Sequence, residues 1–245
     1  MVFMSCDKDF LSPTPIASIG GSGYYQNEAQ VESAVISMYD AIQGTNSTST
    51  NDNRGIQLEF YIAEMLSDNT KTKSSEGESA SFEFYSLEST NGIVTNYYQS
   101  MYDIIARANI VLGNLEAAGG KQAQFEGEAK FGRAMAYFNL VRTFGDVPLV
   151  DRIIDPLETD IQFTRVATSQ VYDLIVSDLG TAITNLDNTY RTRASKAAAQ
   201  ALLAKVHLTI GNHGLAKTLC EDITGYSLEN NFKDVFFTED NSEVI

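Results

Sequence analysis

The sequence predicts a mainly α fold with irregular loops and few short strands. Three observations carry that expectation. Apolar residues return at i, i+3, i+4 spacing in one segment after another. Helix boundary signals fall between those segments, including Gly145 with Pro148 beyond it and Ser195 ahead of an alanine-rich run. Strand patterns are scarce, with Phe82–Leu87 and the final residues as the best candidates.

Taken in order, residues 1–27 stand apart from the helical patterns. Met1-Val2-Phe3-Met4-Ser5 before Cys6 looks like the tail of an apolar signal segment ending at an acylated cysteine. The basic region and most of the apolar region are missing, so the start reads as truncated. Cys6 is the expected lipidation site, and a lipid anchor the only expected membrane contact. Pro13, Pro15 and Gly20-Gly21-Ser22-Gly23 predict an extended tether over 7–27. Gly21-x-Gly23 lacks the later glycine and the preceding strand of a dinucleotide fingerprint.

Residues 28–245 form the expected helical domain. Val31, Ala34, Val35, Met38 and Ile42 make its first stripe, and Leu58, Ile62, Met65 and Leu66 the second. Tyr98, Met101, Tyr102, Ile105, Asn109 and Leu112 give the clearest one. Phe125, Ala129, Met135, Ala136 and Leu140 mark a long helix that Gly145 stops. Val171, Leu174, Ile175, Leu179, Ile183 and Leu186 follow, with Thr168 or Ser169 as expected N-caps. Ser195 opens a helix through Ile210, and after a turn at Gly211–Gly214 a short helix runs over Leu215–Ile223.

Composition removes whole classes of function. Of 245 residues 43% are hydrophobic and 20% charged, which suits a folded chain. With 32 acidic against 17 basic residues the net charge is −15, which argues against nucleic acid as a partner. There is no apolar run long enough to span a bilayer. Two histidines and two cysteines leave little for metal chemistry, and no cofactor is expected. His207 and His213 read as core and turn residues, and Cys220 as a buried thiol. Glycoside hydrolysis needs two carboxylates facing across a sugar. Glu126 and Glu128 point to different helix faces, and the acidic residues read as a solvated face. Asp103 and Arg107 read as an i, i+4 ion pair. No Gly-x-Ser-x-Gly elbow is present.

From Leu203 the residues Leu203-Ala204, His207, Gly211 and Ala216 match the large, small, aromatic, turn and small positions of a tetratricopeptide unit. Ala136 lies two repeat lengths earlier. Helical hairpins of any kind use small residues at crossings, so the residues alone leave the repeat open.

Four segments add to this. They are Cys6-Asp7-Lys8-Asp9-Phe10-Leu11; Tyr98 to Leu112, with its Tyr102-Asp103-Ile104-Ile105-Ala106-Arg107-Ala108-Asn109 core; Glu128 to Val150, with Arg133-Ala134-Met135-Ala136-Tyr137-Phe138 and Phe144-Gly145-Asp146-Val147-Pro148-Leu149; and Val171-Tyr172-Asp173-Leu174-Ile175 through Arg193-Ala194-Ser195-Lys196. Together they closely resemble the SusD/RagB family of surface lipoproteins. The resemblance implies tetratricopeptide-like helical hairpin repeats and a chain about twice this length, so 28–245 reads as cut short at its carboxyl end. It implies a non-enzymatic protein of the cell outer membrane that binds an oligosaccharide or polysaccharide. The bound glycan, from starch or another source, would pass to a TonB-dependent, SusC-like transporter. A peptide-binding member of the same family is the alternative, and a glycoside hydrolase the rival from another class. The helix at Tyr98 opens with Trp in the family, whereas this chain has none.

Sugars are held by flat aromatic faces and by amides or carboxylates that bond hydroxyl pairs. The stretch from Asp68 to Tyr98 offers both, so the expected ligand residues are Asp68, Asn69, Tyr85, Asn91, Asn96 and Tyr97. Phe82, Phe84 and Tyr98 read as packing residues. Arg133, Arg142, Asn109, Arg165 and Arg193 read as scaffold groups that bond helix ends and loop carbonyls.

Overall fold

A computed structural model describes residues 21–44, 55–67, 69–73, 77–155, 158–189, 192–238, 241–243 and 245. Cys6 and most of the expected tether lie outside the described residues. The tether's last part is a correction, since Gly21–Tyr24 form a helical turn, α1.

α2 (Glu28–Ala41) starts where the Asn27 side chain accepts from Gln30 N, with Glu28 in the first turn against the helix dipole. Val31, Ala34, Val35 and Met38 are buried along it, the stripe the spacing predicts. α3 (Gly55–Ala63) contributes buried Leu58. The segment expected to be a strand at Phe82–Leu87 instead begins as a helical turn, α4 (Ala80–Glu83). Phe84 N bonds Ala80 O and Tyr85 N bonds Phe82 O, so the backbone closes on itself. Tyr85 then takes a left-handed conformation at φ 53°, which no strand can contain. Phe82 is fully buried while Phe84 and Tyr85 face solvent, a helical rather than an alternating pattern.

α5 (Gly92–Leu112) is capped by Asn91 and begins six residues before its clearest apolar stripe. A 3-10 segment over Leu115–Lys121 leads into α6 (Gln122–Phe144), which stops at Gly145, φ 71°. β1 (Val147–Pro148) pairs antiparallel with β2 (Arg165–Val166), Val147 opposite Val166. α7 (Thr168–Asn185) is preceded by Ala167, whose side chain makes no cap bond. The expected caps Thr168 and Ser169 are therefore replaced by Asp146, whose Oδ1 accepts from Thr168 N at 3.0 Å. α8 (Lys196–Thr209) is capped by Ser195 as expected, its side chain accepting from Ala198 N. α9 (His213–Glu221) and α10 (Phe232–Phe237) follow, and the described final residues form no strand.

α6 is the central rod. It packs on α5 at one side and α7 at the other; α7 then packs on α8 and α8 on α9, while α2 crosses α5 and α6. This is a succession of antiparallel hairpins of the tetratricopeptide kind. Close crossings depend on absent side chains. A Cβ on Gly132 would lie 2.6 Å from Met38 Sδ, and one on Gly127 would lie 2.8 Å from Leu186 Cγ. Cys220 is exposed rather than buried, because α9 turns only Ala216 fully inward. His207 is a largely buried helix residue, with Asn212 Nδ2 3.4 Å from its Nδ1.

Candidate functional site

Charge inside the hairpins fixes the loop that follows α6. Arg133, 5% exposed, donates from Nε and Nη2 to both oxygens of Asp178 at 2.8 and 2.9 Å. Its Nη1 donates to Asn109 Oδ1 at 2.8 Å and to Asp151 O at 3.2 Å. Asn109 Nδ2 in turn donates to the carbonyls of Val150 and Arg152. Val150 N donates to the Tyr137 hydroxyl at 2.6 Å, and the Tyr102 hydroxyl donates to Pro148 O at 2.6 Å. Burial pushes the Tyr137 hydroxyl up to about 12, against the smaller opposing pull of the Val150 N–H. One guanidinium, one amide and two phenols thus hold residues 148–152 to α5 and α6. Planar forks and amides suit this work because their donors diverge at fixed angles.

A second network sits at the crossing of α2 and α6. Glu128, 1% exposed, accepts from the Tyr39 hydroxyl at 2.8 Å, from Gln124 at 2.9 Å and from Arg193 at 3.3 Å. Arg193 reaches Glu32 as well, and Ala194 N donates to the Tyr39 hydroxyl. Glu128 is therefore an internal anchor and not part of a solvated acidic face. Glu126 is committed to Lys130 and Asn185, so the two do not face each other across a cleft. Asp103 and Arg107 are paired at 3.0 Å, with Arg107 also reaching Asp40 on α2.

Where the anchored loop meets the first turns of α5, a surface cavity of about 390 Å³ opens. Tyr98 and Phe144 line it, their rings edge to face at 5.2 Å, and Tyr98 leans on Tyr102 at 4.8 Å. Ser89, Thr95, Asp146 and Arg165 are the polar residues of the cavity lining. The β1–β2 pairing brings Arg165 beside the chain leaving α6. Aromatic rings can take the C–H face of a sugar, while hydroxyl, carboxylate and guanidinium groups bond its hydroxyls. Among the described residues, no cluster of three or more His, Cys, Asp or Glu side chains is placed to hold a metal ion.

The six residues expected to bind ligand are scattered. Asp68 lies outside the described residues. Asn69 is exposed, its N–H directed to Ser67 Oγ. Tyr85 is 68% exposed, with its hydroxyl donating to Leu66 O. Asn96 is half-buried, and its carbonyl accepts from Ser100. Asn91 is buried as the cap of α5. Tyr97 is 1% exposed, and its hydroxyl donates to Glu59 at 2.6 Å; burial and that carboxylate hold its pKa far above the usual phenol value. None of the five described ones lines the cavity. Tyr98, read as packing, and Arg165, read as scaffold, do line it, together with Phe144 and Asp146, which the sequence singles out only within the Glu128–Val150 segment.

Comparison with known proteins follows the same geometry. Residues 22–208 match a family model, SusD-like_3, described as "Starch-binding associating with outer membrane". SusD-like protein P25 of Formosa agariphila is 31% identical over 98% of this chain and 48% of its own length. A SusD-like protein of Bacteroides ovatus is 23% identical over 99% of this chain and 46% of its own. The chain spans about half the length of the curated relatives it matches. Among solved structures, a laminarin-binding SusD-like protein superposes with a TM-score of 0.73 at 26% identity, covering 88% of this chain and 49% of the other. A SusD superfamily protein of Bacteroides vulgatus reaches 0.75 at 21% identity and shares the fold.

Proposed function

We propose, for a chain that belongs to the SusD-like family of carbohydrate-binding, outer-membrane-associated proteins, that it captures an oligosaccharide without cleaving it and hands it to a SusC-like, TonB-dependent transporter. The observation that carries the reading is the cavity in which the Tyr98 and Phe144 rings are surrounded by Thr95, Ser89, Asp146 and Arg165. The rings supply a surface for sugar C–H groups, and the polar rim selects hydroxyl orientation. Within the expected ligand stretch from Asp68 to Tyr98, exposed Tyr85 contributes a second contact. Cys6 carries the lipid that keeps the protein at the outer membrane.

The test is affinity electrophoresis of the full chain in gels containing starch, laminarin or other glucans. At least one polysaccharide should retard it. Arg165→Ala should weaken retention about fivefold, the equivalent of about 1 kcal/mol, at unchanged thermal stability. No retardation by any glycan, or retention untouched by Arg165→Ala and Tyr98→Ala together, would remove the reading. Shortened oligosaccharide products would replace it with a hydrolase, and retention only on peptide columns with peptide capture. Cys6→Ala should leave the fold intact and release the protein from the membrane fraction.

A further inference from the structure

The chain contains one Asn-Gly pair, Asn91-Gly92, and the structure sets it in an unusual cage. Asn-Gly is the dipeptide most prone to losing its side-chain amide, because glycine leaves the following backbone nitrogen unhindered. Here glycine also leaves room for the Glu78 carboxylate. A Cβ at position 92 would sit 2.9 Å from Glu78 Oε2, because the Glu78 carboxylate closes over the start of α5 to accept the Gly92 N–H at 2.8 Å. The Asn91 side chain is equally committed. Its Oδ1 accepts from Ile93 N and Val94 N, and its Nδ2 donates to Glu78 O at 3.1 Å and Ser81 Oγ at 3.0 Å.

We propose that Asn91 is a latent deamidation site, kept silent by the way Glu78 caps α5. The reaction needs the Gly92 nitrogen to lose its proton and attack Asn91 Cγ. The new C–N bond closes a succinimide as Nδ2 leaves as ammonia. Water then opens the ring to aspartate or isoaspartate. In the folded protein the nucleophile's N–H is bound by a carboxylate. The electrophile is pinned by four hydrogen bonds, and Gly92 is fixed as the first residue of a helix. Attack therefore requires the 77–91 segment to open first.

The product does not restore what is lost. A carboxylate at position 91 still accepts from Ile93 N and Val94 N, and the helix dipole favours it there. It has no donor for Glu78 O, and it sets an anionic oxygen against that carbonyl. The helix stays capped, and Glu78 still holds the Gly92 N–H, while Glu78 O and Ser81 Oγ lose the Asn91 amide donor. Deamidation thus loosens the segment beside a second surface cavity of about 350 Å³, lined by Glu78, Ser81, Ser86, Glu88 and Asn91.

The test is to age the full chain in mildly alkaline buffer, folded or unfolded in urea, and follow ammonia loss at Asn91 by peptide mass spectrometry. Loss should be at least about tenfold slower in the folded protein, since several hydrogen bonds must break together. In the folded state Glu78→Ala should speed it about fivefold, the effect of removing one such bond. Asn91→Asp should leave α5 protected from hydrogen exchange while proteolysis within 77–90 increases. Equal rates in buffer and urea, or a Glu78→Ala variant that ages like the native chain, would overturn the proposal. So would an Asn91→Asp variant uncut in that segment.

Discussion

Arg133→Met removes a cation whose partners are all internal. Arg133 and Asp178 side chains are 6% and 2% exposed, so the substitution leaves a carboxylate in the core with no positive charge beside it. Breaking a buried pair in this one-sided way costs about 3–5 kcal/mol, a large share of the roughly 5–15 kcal/mol that holds a domain together. Asn109 Oδ1 and Asp151 O lose a donor at the same time. The double variant Arg133→Met, Asp178→Leu removes the stranded charge and should recover most of the loss, because apolar replacements of whole buried pairs are often neutral. Urea unfolding monitored by circular dichroism measures both, with midpoints compared at constant slope. Should Arg133→Met not fold, Arg133→Lys keeps the charge but loses the fork, and should still be clearly less stable than the native chain. Losses that add across the two positions, or an Arg133→Met loss below about 1 kcal/mol, would refute the claim that this pair is buried and self-contained.

Gly127→Ala should lower stability by about 1–3 kcal/mol despite the helix propensity gained, because the new Cβ meets the branched Leu186 side chain and Asn185 Cβ. Gly132→Ala should cost less, since the unbranched Met38 can turn aside; a more stable Gly127→Ala protein in thermal melts would contradict the packing. Tyr97→Ala should cost about 3–5 kcal/mol as a core truncation, whereas exposed Tyr85→Ala should stay within about 1 kcal/mol, and equal melting temperatures would disprove the assignment of inward and outward rings. Burial raises the hydroxyl pKa of Tyr137 to about 12, and of Tyr39, Tyr97 and Tyr102 further. Unfolded tyrosines ionise near 10, so the unfolded chain binds fewer protons above that point. Stability is full below pH 10 and falls as pH rises through about 12, Tyr137 alone accounting for about 3 kcal/mol. Tyrosinate absorbance that develops fully before the fold melts would contradict this.

The helices were legible because each advertises itself locally. The stripe from Val31 to Met38 and the caps at Gly145 and Ser195 need nothing beyond their neighbours in sequence. Asn109 was legible as a backbone ligand for the same reason, an amide in an otherwise apolar face. The Phe82–Leu87 strand misreads aromatic density, since the backbone there closes on itself through Phe84 N to Ala80 O, Tyr85 N to Phe82 O and Ser86 N to Ser81 O. The site was hard to read because it is assembled by pairing. Arg165 reaches the Phe144 end of α6 through two residues of β-ladder, and no spacing in the sequence announces that. Aromatic residues clustered over 82–98 pointed to the right end of α5, but helix rotation decides which are accessible: Tyr97 turns inward to Glu59, and its neighbour Tyr98 lines the cavity.

The clasp at Arg193 has a consequence during synthesis. Glu32 and Arg193 are 161 residues apart, and Tyr39 and Ala194 155. At about 5–20 residues per second, a ribosome takes roughly 8–30 s to deliver Arg193 after α2 has emerged. Glu128 arrives earlier and finds the Tyr39 hydroxyl, yet lacks the guanidinium that neutralises it. Until then, seating α2 on α6 would bury a carboxylate without its counter-charge, which is unfavourable. The first long helix made therefore waits for Arg193, and the nascent chain keeps its amino end loose until α8 begins to appear.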